Sequence, residues 1–498
     1  MKKQKSILVF LTALLLSACS PELSSYSWDS ALEREPMYID FYGINDFHGA
    51  VLPSTSWQPG IESIGGFLKE AKAEGAVLIN SGDMYQGSIE SNYNRGELLS
   101  KCMKNIGFDS FTLGNHEFDW GDEAIKANAK TAGMDFLGAN IYHYDMEKGQ
   151  VLDFADDLVA KYTIVERGEW KIGIIGTIGK DQITSICSQF IDGYTFLDPI
   201  PLIMELSDEL RTEQNCDVVV LSHHGEQDEL RFTGLTNVSP VSNMRYIDAA
   251  FCAHSHQNET AIENGVRFVQ SDDLGETMSK ITLFVREGVV ETARFTTDVV
   301  AKGYSDAELS ALINEYKTVS DAAGNEVLCQ ADSNYYDRYE ASSNLIVKAI
   351  GEYEKQQGIA IDYAIANGAR SALRASNNEI TYSNLYTSVP FDNSIVLCKV
   401  KGTDLIHEFA FCDGYRPENI TLSADRYYTC AIIDYLATHR GSDRKYDYYP
   451  SIEVLEVQTE KNYRDICADY LRNLSKAGKK FVGAEYASSL DCFNTNAF

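Results

Sequence analysis

An α/β fold, with helices packed on the faces of layered sheets, is predicted by three features of this chain. Short apolar runs recur from residue 38 to residue 253, amphipathic stretches separate several of them, and turn residues mark the joins. Residues 38–44, 76–80, 110–113, 171–177, 218–222 and 249–253 read as strands. Residues 64–74, 122–132 and 200–213 read as helices. Residues 280–297, with Gly288 at the turn, read as a closing hairpin. A helix over about 305–322 follows: Ser305 can cap it, Asp306 and Glu308 favour its first turn, and Leu309, Leu312 and Ile313 share a face. We read it as a linker. From about 341 a second, smaller α/β unit begins, with its own apolar helices over 345–353 and 466–474.

With 498 residues the chain exceeds what one core supports, and two or three domains are expected. The boundaries read as 37–300, a linker region 301–340, and 341–498. A net charge of −30 argues against a nucleic acid polymer as partner, because Lys and Arg must neutralise its phosphates. A small anionic substrate would need a local positive centre.

The N-terminus reads as a targeting segment. Lys2, Lys3 and Lys5 precede an apolar run over 7–16 that is too short to span a bilayer. Leu16-Ser17-Ala18-Cys19 resembles the bacterial lipoprotein signal, which implies cleavage after residue 18, lipidation of Cys19, a tether over 19–36 and a membrane-anchored, exported protein. The other ten cysteines show no CxxC spacing; Cys398, Cys412 and Cys430 are candidates for disulfides, with pairing open.

Chemistry concentrates in five short runs, each after a predicted strand: Asp46-Phe47-His48, Gly82-Asp83, Gly114-Asn115-His116-Glu117, Ser222-His223-His224 and His254-Ser255-His256. Strands ending at one sheet edge would bring them together. Carboxylate, amide oxygen and imidazole suit Zn²⁺, Mn²⁺ or Fe, and a shared carboxylate can bridge two ions. Asp46 and His48, two residues apart, point to one side. Asp83, after a small glycine, is the natural bridging group. Asn115 offers an amide oxygen, His116 can face a substrate, and Asp119 lies three residues on, within reach of its imidazole. His224 is ambiguous, because its neighbour His223 points the other way if the strand continues.

These runs resemble the calcineurin-like metallophosphoesterase pattern. More narrowly, the runs at 45–49, 82–83 and 114–119 and the paired histidines are similar to the 5′-nucleotidase, UDP-sugar hydrolase and 2′,3′-cyclic-nucleotide phosphodiesterase family. The resemblance implies a four-layer α-β-β-α sandwich followed by the linker helix and the smaller domain. It implies two divalent ions (Mn, Zn or Fe), one held by Asp46, His48, Asp83 and His256, the other by Asp83, Asn115, His223 and His254. It also implies that His116, held by Asp119, stabilises the transferring phosphoryl group. In the second half, Asn367-Gly368-Ala369-Arg370, Val389-Pro390-Phe391-Asp392-Asn393 and Lys401-Gly402 to Leu405 resemble the family's nucleoside-binding domain, with Arg370 as a substrate contact. Asp434-Tyr435-Leu436-Ala437 and Gly441-Ser442-Asp443 resemble the element in which a ring (Tyr435) stacks on the base and an Asp (Asp443) binds the ribose. The stretch between Leu405 and Tyr427, where the family carries a second ring, is short.

The expected function is an exported, lipid-anchored metallophosphatase acting on nucleoside 5′-monophosphates. The alternatives are a 2′,3′-cyclic nucleotide, a UDP-sugar or another organophosphate at the same centre, or a lipoprotein that binds nucleotides without turning them over.

Overall fold

A computed structural model describes residues 34–53, 57–408, 413–415, 422–441, 444–486 and 492–493. Cys19, Cys412 and Asp443 lie outside them.

The first half is built on two sheets. One has the spatial strand order Val289–Val299, Met278–Arg286, Met37–Ile44, Val77–Asn80, Ser110–Phe111. The other runs Glu259–Glu263, Val266–Gln270, Ala249–Phe251, Val218–His224, Trp170–Ile178, Tyr162–Arg167. Ile39, Phe41, Val77 and Ile79 of the first meet Ile172, Val218, Val220 and Phe251 of the second in one buried core. The outer face of the first sheet carries helices Gly60–Ala73 and Glu97–Ile106, which bury Ile64, Leu68, Leu98 and Met103. The outer face of the second carries Pro199–Thr212, through Ile203, Leu206 and Leu210. The order of layers is therefore α-β-β-α, as expected. Parallel pairing places the carboxyl ends of Met37–Ile44, Val77–Asn80 and Ser110–Phe111 at one edge, and likewise those of Trp170–Ile178, Val218–His224 and Ala249–Phe251. Ligands bind at such edges in α/β sheets.

A buried ion pair ties the second sheet to its helix. Arg211 Nη2 lies 2.6 Å from Asp248 Oδ2, and Asp248 also accepts the Val219 amide. Removing one member strands the other charge in the interior. Arg211→Ala is therefore expected to lower the unfolding free energy by about 3–5 kcal/mol, read as a lower urea midpoint.

The linker helix spans Ala307–Gly324, and its cap is Asp306, whose carboxylate accepts the amides of Glu308 and Leu309. Ser305 does not cap it: a carboxylate reaches two orphan amides and favours the positive helix terminus. Leu309 and Ile313 pack into the first-half core. A separate core draws on residues from Leu328 to Tyr486. It forms around a six-stranded sheet, ordered Glu453–Gln458, Ile395–Lys401, Tyr427–Ile433, Tyr363–Ala366, Asp413–Tyr415, Cys492–Phe493, with helices Ser343–Gln356 and Tyr463–Lys476 packed on it. Cys398 and Cys430 face each other across an antiparallel pair as free, buried thiols. Among the described residues no helix is long and apolar enough to cross a membrane.

Candidate active site

The loops that leave the sheet edge are interlocked by backbone hydrogen bonds. Asp46 N donates to Gly82 O, and His48 N to Asp83 O, at 3.0 and 2.9 Å. The carboxylate of Glu117 accepts three amides, those of Asp83, Met84 and Gly114, which clamps the Asp83 loop to the Asn115 loop. The approach is so close that a Cβ on Gly114 would lie 2.3 Å from Asp83 Oδ1. Asp46, His48, Asp83, His254 and His256 all adopt left-handed backbone, with φ from 47° to 79°. Turns of this kind re-aim each side chain inward from its strand end.

The donors converge around Asp83. Its Oδ2 lies 3.4 Å from His224 Nε2 and 3.9 Å from His48 Nε2. His48 Nε2 is 3.0 Å from His256 Nε2, and His256 Nε2 is 3.6 Å from Asp46 Oδ1. On the other side of Asp83, the Asn115 side-chain oxygen lies 3.1 Å from His254 Nδ1 and 3.2 Å from His224 Nε2. The far nitrogens are engaged elsewhere: His48 Nδ1 donates to Gln86 O, His224 Nδ1 to Ser81 O, and His256 Nδ1 faces Asp273 at 3.2 Å. Each Nε2 is thereby directed at the cluster, where it can offer a lone pair once it carries no proton. Asp46 Oδ1 is buried without a hydrogen-bond partner. Burial pushes the Asp46 carboxyl up, partly offset by His224. For Asp83, burial is outweighed by His224 and His116, which hold it well below the usual carboxylate range. Imidazole nitrogens 3.0 Å apart and an orphaned carboxylate oxygen are a donor set that fits divalent cations.

One histidine expected among the ligands, His223, lies elsewhere. His223 does not reach the cluster; its Nδ1 meets Thr177 Oγ1 at 2.9 Å and its Nε2 lies 3.6 Å from Glu229. His224 takes the position instead. The strand continues through His224, so His224 shares a face with Val220 and Ser222 toward the first sheet, while His223 follows Val219 and Leu221 to the opposite face.

His116 sits beside the donors on a short 3₁₀ turn. Its Nδ1 is 2.8 Å from Asp119 Oδ2, and its backbone amide donates to Asp83 Oδ1. Burial disfavours the imidazolium, but the carboxylates of Asp119 and Asp83 outweigh it and raise the pKa to about 9. Phe391, from the C-terminal half, stacks on the ring with centroids 5.7 Å apart.

A cleft of about 770 Å³ opens from Asn115, His116 and His254 and is walled on its other side by the C-terminal half. Arg370 and Tyr435 line it. Arg338, Asp434 and Arg95 line it too and were not singled out. Arg338 Nε donates to Ala369 O, beside Arg370. Asp434 is buried and accepts from Asn393, Gln189 and the amides of Ser394 and Tyr435. The two halves also meet through Asn92 Nδ2 to Pro390 O and Ser188 Oγ to Thr438 O, at 3.1 and 2.7 Å.

Residues 39–258 match the model of the calcineurin-like phosphoesterase family, and residues 324–419 match that of the 5′-nucleotidase C-terminal domain. The classes matched are thus a phosphoesterase domain and a nucleotidase C-terminal domain. More particularly, the chain joins a calcineurin-like phosphoesterase domain to a 5′-nucleotidase C-terminal domain. It is 24% identical over 427 residues to endonuclease YhcR of Bacillus subtilis, covering 80% of this chain and 35% of that protein. It is 25% identical over 470 residues to cell wall protein Lmo0130 of Listeria monocytogenes, covering 81% and 59%. The chain therefore spans between a third and three-fifths of the length of these relatives. The fold is similar to that of a 5′-nucleotidase precursor from Thermus thermophilus, with a TM-score of 0.71 at 18% identity, over 88% of this chain and 97% of that one.

Proposed function

We propose that the protein is an exported two-metal phosphomonoesterase that converts nucleoside 5′-monophosphates to nucleoside and phosphate. The observation that carries this reading is the single cleft in which the donor cluster and the His116–Asp119 pair face Arg370 and Tyr435 of the nucleotidase-like half. In it, Asp46, His48, Asp83 and His256 would hold one ion, and Asp83, Asn115, His224 and His254 the other, with Asp83 shared. Bound divalent ions would supply an acidified water and offset charge on the phosphoryl oxygens.

The chain's own groups have separate tasks. Asp119 engages His116 Nδ1, which leaves the Nε2–H to donate to a phosphoryl oxygen. Arg370 adds positive charge near His48 and His116 and would bind the substrate phosphate, favouring a bidentate contact. Tyr435 offers a ring face to the base. Phe391 against His116 helps exclude water from that side. Residues 1–18 would act as the export signal and Cys19 as the lipid attachment point.

The test is phosphate release by purified protein, stripped of metal and reloaded with Mn²⁺ or Zn²⁺, from AMP, UDP-glucose, 2′,3′-cyclic AMP and p-nitrophenyl phosphate. Metal-dependent release with AMP preferred is expected. Release from the generic ester alone would sink the nucleotide assignment, and metal binding without any turnover would turn the protein into a binder.

A further inference from the structure

Phe391 reaches His116 from a segment that has no regular structure to hold it. Residues 390–394 lie in neither helix nor strand, between the helix Tyr382–Ser388 and the strand Ile395–Lys401. Their carbonyls have no donors from a helix or a ladder and must find others. The start of the helix Tyr463–Lys476 supplies them. Arg464 Nη1 donates to Pro390 O and Phe391 O at 3.0 and 3.1 Å, and Arg464 Nη2 to Asp392 Oδ1 at 2.5 Å. The Tyr463 amide donates to Asn393 O at 2.9 Å.

The Arg464 guanidinium is committed on every side. Its Nε donates to Tyr382 Oη at 3.3 Å, and its Cζ lies over the Tyr386 ring, 3.7 Å from the centroid. The residue is 4% exposed and is not among those that line the cleft. A buried charge is unfavourable unless its donors are met, and here three of its four hydrogen bonds go to one short segment. The opposite side of that segment meets the first half. Pro390 O also accepts Asn92 Nδ2 at 3.1 Å, and the Phe391 ring lies on His116 with the two planes 21° apart.

We propose that Arg464 is a positioning residue: it holds Phe391 against the His116 ring, so that the action of His116 depends on a guanidinium outside the cleft. This rests on the hydrolase reading of the site. Loss of the planar fork takes a charged donor from two adjacent carbonyls at once, and the segment shifts with its ring. Lysine keeps the charge but, as a point charge on a flexible stem, cannot reproduce the fork or its stacking on Tyr386.

The test is a double-mutant cycle on the full chain, with Arg464→Lys, Phe391→Leu and both together. Arg464→Lys is expected to lower kcat for AMP about ten- to a hundredfold, the scale of a small misplacement near the chemistry, with metal content unchanged. In the Phe391→Leu background it should change kcat by less than about twofold, because the two substitutions remove one interaction. A purely structural arginine would lower kcat equally in both backgrounds. If Arg464→Lys does not fold, Asp392→Asn takes its place in the same cycle. The ring protons of His116, followed by NMR in histidine-labelled, zinc-loaded protein, give a reading that needs no turnover. Arg464→Lys should move them toward their position in Phe391→Leu, and the double variant no further. Equal effects on kcat in both backgrounds, or His116 resonances that stay in place, would overturn the positioning role. No turnover by the wild-type chain, with these resonance shifts present, would sink the hydrolase reading and leave the hold of Arg464 on Phe391 standing.

Discussion

His224→Ala is expected to lower kcat/KM for phosphate release by at least about 100-fold and to leave the purified protein short of one metal ion per chain. Even residues that merely support a metal ligand change affinity by about 10–100-fold, so a ligand itself should exceed that range. His224 Nε2 lies within 3.4 Å of both Asp83 and Asn115, and its Nδ1 is anchored to Ser81 O, so its loss opens the cluster at its centre. His223→Ala, one residue away, should keep its metal and most of its activity. It gives up a hydrogen bond to Thr177, which costs about 1 kcal/mol of stability. Metal content by mass spectrometry and kcat/KM, measured on both variants, separate the two residues. Metal loss in His223→Ala with His224→Ala intact would reverse the assignment.

His116→Ala is expected to reduce kcat by about 10²–10⁴-fold with metal content unchanged, the usual range for acid–base and oxyanion groups. A protein that only binds its ligand would not register the change. The pH profile gives a second handle. The His116 pKa is raised to about 9, so the charged form is present below that value and is lost as pH rises through it. Activity that needs the imidazolium therefore falls on the alkaline side. Asp119→Asn removes the main group that raises this pKa, and the alkaline limb should move to lower pH. Bound cations push the limb the same way, so the comparison is made between wild type and variant under one metal. A limb that stays in place would mean that His116 acts in its neutral form.

The layered first half could be read because its strands are apolar, regularly spaced and followed by the chemistry they position. The small sheet of Ile141–Asp145, Gln150–Phe154 and Tyr194–Phe196 escaped because its strands are short, and the middle one in sequence is mostly exposed, which leaves no periodic signal. The choice between His223 and His224 escaped for the opposite reason. Val218 to Leu221 is buried on both faces, and a run with no polar alternation does not reveal its phase. Knowing whether the strand ended at Ser222 or at His224 would have settled it. Arg95, Arg338 and Asp434 enter the cleft only because the two halves pack against each other. Nothing local distinguishes one arginine from another until its partners, or their lack, can be seen.

The left-handed backbone at Asp46, His48, Asp83, His254 and His256 carries a further meaning. Outside glycine such a conformation is unfavourable by roughly 1–2 kcal/mol per residue, and each of these positions is occupied by a residue chosen for its side chain. Local preference and global fold disagree at five points within one small volume, which is frustration in the sense of energy landscapes. Coordination of cations by this cluster would offset that conflict, because binding to the folded state alone adds directly to its stability. Under the two-metal reading, endurance would be a joint property of chain and ions, and a sequence optimised for folding alone would discard the residues proposed to make the centre reactive.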